Sequence, residues 1–148
     1  MPALNKLLSQ KLEKPEVEII EGITSIKPYV LEMLKCKEIF IYGASVDGDE
    51  VYGTFTANFA KKRVHHKVKV RAVIGKRIPE HMIEEDVAVF TEIRTFTALE
   101  RHPAAYFIYG DDLLILTVKD PLIAIHIKNS AVIESQKKLF EMMWSLAE

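Results

Sequence analysis

The sequence predicts one α/β domain, a mixed, largely parallel sheet flanked by helices. The run E-I-F-I-Y-G-A-S, Glu38–Ser45, is apolar without alternation and holds a glycine near its end, as a strand buried on both faces would. A helical pattern follows from about Val51 to Val64, then a second strand-like run, Lys67–Ile74, closed by Gly75. Strand, helix and strand in that order imply a right-handed parallel crossover. The chain's 148 residues, 49% hydrophobic and 28% charged, suit a single packed core.

The elements follow in chain order. Leu4, Leu7, Leu8 and Leu12 share one face of a short helix that Lys14-Pro15 ends. Residues 1–15 therefore read as a linker-like helix, which packs on the domain or pairs with a second copy, and residues 16–148 as the domain itself. Val17–Ile20 alternates with acidic residues as a short strand. Gly22 precedes a helix to about Lys37 with Ile23, Ile26, Val30 and Leu34 as its buried stripe. Pro28 fits that helix if it starts near Ser25, where the first N–H groups have no partner to lose.

Val87–Phe96 reads as a third strand. Tyr106–Ile108 and Leu113–Val118 read as two more, joined at Gly110-Asp111 as a hairpin. Leu122–Ile127 is another strand, and Ser130 is expected to cap a last helix to Ala147. Its buried face is expected to include Val132, Gln136, Phe140, Met143 and Trp144. No internal repeat or low-complexity segment occurs.

The bulk numbers narrow the function classes. A net charge of −1 gives no global field toward nucleic acid or an anionic membrane, so any anion site must be local. One cysteine, Cys36, excludes an intramolecular disulfide framework and reads as a structural thiol. The N-terminal stretch lacks a signal-peptide core and no apolar run reaches membrane-spanning length. The expectation is a cytoplasmic protein without membrane contact.

Asp47, Asp49 and Glu50 form an acidic turn whose spacing does not match a calcium loop, and which suits the start of the next helix. No phosphate-cradling or dinucleotide fingerprint occurs, and no cofactor or metal is expected. The densest basic stretch runs from Lys61 to Arg71 and lacks interleaved aromatics. It reads as a solvated helix end and strand face in preference to a nucleic-acid groove. His126 reads as a half-buried packing histidine. Loops at the carboxyl ends of central strands are where α/β folds bind ligands, which makes Ser45, Asp47 and Lys76 candidate ligand residues.

The succession E-I-F-I-Y-G-A-S, V-K-V-R-A-V-I, Y-F-I-Y-G-D-D-L-L-I-L, P-L-I-A-I-H-I-K-N and F-E-M-M-W-S-L-A resembles the effector domain of TrmB-like archaeal transcriptional regulators, over about residues 16–147. The resemblance implies a phospholipase D-like fold, a role in ligand sensing, a homodimer and a small-molecule effector such as a sugar. Relatives of this kind carry an N-terminal winged helix-turn-helix. Here nothing before Leu4 is long enough to read DNA, so no direct DNA binding by this chain alone is expected.

The same resemblance supplies a test for catalysis. Active phospholipase D-type sites use H-x-K-x-x-x-x-D, with a histidine nucleophile, a lysine on the phosphate and an aspartate to orient the histidine. With Asp111 as the aspartate, the histidine position holds Ala104 and the lysine position Tyr106; with Asp112 they hold Ala105 and Phe107. His65-His66-Lys67 contains an H-x-K, but Ala72 stands at its aspartate position. The expectation is a degenerate, non-catalytic site, with His102, Tyr106 and Asp111 as further ligand candidates. The alternatives are a homodimeric interaction module without a ligand, or a residual phosphodiesterase or nuclease.

Overall fold

A computed structural model describes residues 16–44, 53–78, 83–119 and 121–148. The linker-like segment 1–15 and the loop bearing Ser45 and Asp47 lie outside them. The elements are β1 (Val17–Glu21), α1 (Ile23–Glu32), β2 (Glu38–Gly43), α2 (Gly53–His65), β3 (Lys69–Ile74), a one-turn helix α3 (Glu85–Ala88), β4 (Thr91–Thr95), β5 (Ala104–Tyr109), β6 (Asp112–Thr117), β7 (Ile123–Lys128) and α4 (Ser130–Leu146).

The strands form one seven-stranded sheet in the order β1-β7-β6-β5-β2-β3-β4. The expected mixed sheet is present, but its balance is reversed. Only β2–β3 and β3–β4 pair in parallel; the other four pairings are antiparallel. The cause is the second half of the chain. β5, β6 and β7 follow one another through short turns, and such connections allow only antiparallel neighbours. In the first of these turns Gly110 takes a φ of 56°, which a residue without Cβ adopts freely.

Several boundaries differ from the expectation. α1 starts at Ile23, so Pro28 lies in its second turn, and a 3₁₀ turn over Met33–Lys35 continues it. That turn buries Met33, leaving Leu34 half-buried. The first half of Val87–Phe96 belongs to α3 and the turn after it, and only Thr91–Thr95 pairs as a strand. Glu85 and Asp86 favour a helix start there. The cap of α4 is Asn129, one residue before Ser130, its side-chain oxygen accepting from the Val132 N–H at 3.1 Å.

The sheet separates two apolar layers. On one face α1 and α2 pack Ile26, Val30, Phe55 and Phe59 against Val70, Phe107 and Leu114. On the other, α4 presses Ile133, Phe140 and Trp144 onto Tyr42, Val73, Ile108 and Leu113. Gln136 is half-buried on the same helix. On the α4 side the pairings align Ile19, Ile125, Ile115, Tyr106, Tyr42, Val73 and Arg94 into one row across all seven strands. Val73, next to the Arg94 end of this row, is fully buried, and Ile19 at the opposite end is 71% exposed.

Candidate functional site

Because β5 returns from the far edge to pair with β2, the end of β2 meets the start of β5. Gly43 makes this approach possible. Its φ is 106°, and a Cβ there would collide with the Ala104 carbonyl oxygen and stand 3.1 Å from the His102 ring. The Ala44 N–H donates to the same Ala104 carbonyl at 2.9 Å. Gly75 does the same at the end of β3, where any Cβ would strike the backbone of Leu99 and Glu100. These two glycines seat the turn that carries His102.

One register step inside, Tyr42 and Tyr106 stand directly opposite each other. Their rings stack with centroids 4.5 Å apart and planes 5° from parallel. The His102 ring lies tilted against Tyr106 at 5.9 Å. From above, α4 supplies Gln136, whose side-chain carbonyl accepts the Tyr42 hydroxyl at 2.7 Å. Burial, with Tyr106 adding to it, pushes the Tyr42 phenol up to about 12. The surface so formed offers a half-buried phenol and an imidazole, groups that stack and exchange hydrogen bonds. The position read as the nucleophile's carries the methyl of Ala104.

Of the other candidates, Lys76 is exposed just past the end of β3, on the Gly43 end of the sheet. Asp111 is not part of this constellation. It sits in the β5–β6 turn, at the opposite end of β5 from Ala104, with roughly 20 Å of strand between them. Grouping it with His102 and Tyr106 is therefore corrected: an aspartate seven residues beyond position 104 cannot reach a side chain there. Asp111 instead borders an open groove of about 720 Å³ along α4, with Ile133, Lys137, Glu141 and Met142.

Sequence reasoning missed the Tyr42–Gln136 bond, which spans 94 positions of chain. A polar residue in the otherwise apolar stripe of α4 was the available signal. A second polar cluster lies on the α1 face. His126 Nε2 is 2.9 Å from Asp112 Oδ1, its ring packs on Tyr29 at 5.3 Å, and the Tyr29 hydroxyl donates to Glu18. Half-buried Cys36 lies nearby, its thiol pushed up by burial and then by Asp112.

The basic stretch divides in two. Arg63 is 4% exposed and donates to the carbonyls of Val68 and Phe90 and to Thr91 Oγ1. Arg71 binds Glu38 and Glu141 and covers the rings of Phe40, Phe140 and Trp144. Both arginines serve the fold, while the lysines around them are exposed. Among the described residues no group of three or more His, Cys, Asp or Glu is placed to hold a metal ion. No helix among them is long and apolar enough to cross a membrane.

No protein-family model matches the chain, and no curated protein matches it. Solved structures do. TrmBL2, an archaeal chromatin protein with a novel mode of DNA binding, superposes with a TM-score of 0.62 at 17% identity, over 99% of this chain and 60% of its own. Nuc, a phospholipase D family member from Salmonella typhimurium, gives 0.59 at 17% identity over 91% and 97% of the two chains. NucT from Helicobacter pylori gives 0.58 at 10% identity over 88% and 96%. The fold is thus phospholipase D-like, shared with TrmBL2, and the chain spans 60% of the TrmBL2 chain's length.

Proposed function

We propose that this chain is a non-catalytic, phospholipase D-like domain that senses a small ligand and dimerises, in the manner of the sensor domain of TrmB-like regulators. The observation that carries this reading is Tyr106. It occupies the position read as the phosphate-holding lysine, and it is stacked on a tyrosine that α4 holds by a hydrogen bond. An aromatic ring fixed there cannot neutralise a phosphate, and Ala104 offers no nucleophile. What remains suits a polar, ring-shaped ligand such as a sugar, which stacks on Tyr106 and hydrogen-bonds to its hydroxyl and to His102. Because Tyr42 joins that surface to Gln136, a ligand that shifts Tyr106 also biases α4.

Thermal unfolding with a panel of sugars, polyols, nucleotides and phosphate esters, at fixed protein concentration, tests the reading. A ligand at a hundred times its dissociation constant adds about 2.7 kcal/mol, a rise of several degrees for a domain of this size. A saturable rise with one chemical class, lost in Tyr106→Ala, is the expected result. A flat panel removes ligand sensing, and hydrolysis of a generic phosphodiester removes the non-catalytic reading.

A second reading, a homodimeric interaction module without ligand, has its own observation. Val17 and Ile19 on the edge strand are 56% and 71% exposed, and adjoin half-buried Ile125 and Ile127 on the α4 side. An apolar strand at a sheet edge is a surface that partners cover. Sedimentation of Ile19→Glu distinguishes it: a shift from dimer to monomer together with a flat ligand panel selects the module.

A further inference from the structure

We propose a second site at the other end of the sheet, where exposed lysines hold the phosphate backbone of a duplex nucleic acid. This goes beyond the sensor reading and stands independently of it. The fold gathers the lysines through backbone contacts. The Lys69 N–H donates to the Lys37 carbonyl at 3.0 Å, which joins the starts of β2 and β3. At the end of α2 the His66 N–H donates to the Lys62 carbonyl at 3.0 Å, and Lys67 turns the chain with a φ of 58°. Lys37, Lys62, Lys67 and Lys69 are all exposed at this end.

Two of the carboxylates at this end, Glu38 and Glu32, are engaged, while Glu84, Glu85, Asp86 and Glu92, around α3 and the start of β4, are exposed and form no ion pair among the described residues. Arg71 holds Glu38 at 3.1 Å, and Lys35 holds Glu32 at 3.0 Å. None of the four lysines forms an ion pair among the described residues. A chain of net charge −1 thus carries four exposed lysines without ion pairs at one end of its sheet, around the starts of β2 and β3 and the end of α2. Cations in the last turn of a helix favour its dipole, which accounts for Lys62 in α2. It does not account for Lys37 and Lys69, which stand at the starts of strands.

The surroundings select the kind of polyanion. Val64 is half-buried and Val68 buried, and at this end the exposed apolar side chain among the described residues is the single Val89, 77% exposed, where a bilayer anchor needs a broad apolar face. Its exposed rings among the described residues, the imidazoles of His65 and His66, stand edge to face at 80° and form no flat platform on which successive single-stranded bases would stack. Contact with a duplex backbone requires neither, and fixes position without reading sequence. The expectation that this chain alone does not bind DNA concerned an element that reads sequence, which a backbone contact does not need.

The test uses the full chain with a labelled short DNA duplex, and an RNA duplex of the same sequence, read by fluorescence anisotropy. Four phosphate contacts predict a log–log salt slope of about −3.6, hence roughly 150-fold weaker binding between about 50 and 200 mM salt. The triple variants K62E/K67E/K69E and K62Q/K67Q/K69Q lose binding, whereas K27E/R101E/K119E, with its changes in the first half of α1, in the turn before His102 and just past β6, retains it. Preference between the two duplexes identifies the form of nucleic acid. Absence of saturable duplex binding at low salt, equal loss in patch and control variants, or tighter binding to phosphatidylserine vesicles than to either duplex overturns the proposal.

Discussion

Tyr106 lies face to face on Tyr42, 4.5 Å between centroids, at the point where β5 pairs with β2. Aromatic pairs of this kind contribute about 0.5–1.5 kcal/mol beyond their burial. A double-mutant cycle between Tyr42→Leu and Tyr106→Leu, followed by urea unfolding, is expected to return a coupling in that range. A coupling near zero would mean that the stack is incidental to the site's stability.

The hydroxyl of Tyr42 adds a separate contribution. Tyr42→Phe keeps the ring but leaves the Gln136 oxygen without its donor. The expected cost is about 1 kcal/mol, or a Tm lower by roughly 2–4 °C at this chain length. Calorimetry checks it, and Gln136→Leu in the Tyr42→Phe background should cost little more, because both partners are then apolar.

The same phenol sets a pH dependence. Its folded value is raised from 10.0 to about 12, chiefly by burial. Below pH 10 the folded and unfolded chains both keep the proton, and stability is unaffected. Between 10 and 12 the unfolded chain gives up the proton first, so stability falls as pH rises, by at most about 1.4 kcal/mol per pH unit. Tyr109, raised by burial and then by Asp112, acts in the same direction. Urea unfolding at pH 9, 10 and 11 should show a falling midpoint, with a smaller fall in Tyr42→Phe.

What could be read in the sequence follows from how local each signal is. The 3.6-residue stripe placed Phe140 and Trp144 in the core correctly, and the Gly110-Asp111 turn placed the β5–β6 hairpin, because both signals lie within one or two elements. The insertion of β5 beside β2 has no local signal. It pairs Tyr42 with Tyr106 across the intervening crossover unit, and adds one antiparallel pairing to those that the short turns after β5 produce. Asp111 was grouped with Tyr106 because motif spacing counts residues along the chain, whereas a strand carries those residues apart. Arg63 looked like one more surface cation in a basic run, and only the meeting of α2, β3 and β4 gives its guanidinium a buried set of acceptors.

Phe140 is fully buried between Phe40, at 5.1 Å, and Trp144, at 5.8 Å. Truncating it removes the middle of the α4 layer and leaves a cavity that the sheet beneath cannot collapse into. Phe140→Ala is expected to cost about 3–5 kcal/mol. Urea unfolding checks this, and loss of Trp144 fluorescence shift on folding would show that α4 has come away from the sheet.

Arg63 offers the sharpest test of how the strand layer is fastened. Its guanidinium is 2.8 Å from the Val68 carbonyl, 3.0 Å from that of Phe90 and 2.6 Å from Thr91 Oγ1, joining the last turn of α2 to the starts of β3 and β4. Arg63→Ala strips the donors from these groups in a buried setting, at roughly 1–3 kcal/mol for each one left unsatisfied. Arg63→Lys keeps the charge but replaces a planar fork with a single ammonium, which cannot serve acceptors arranged around two guanidinium nitrogens. Both variants should therefore be strongly destabilised, with faster amide exchange along β4, the edge strand that this contact holds to the sheet. A lysine variant as stable as the parent would show that charge alone, and not the fork, fastens that edge.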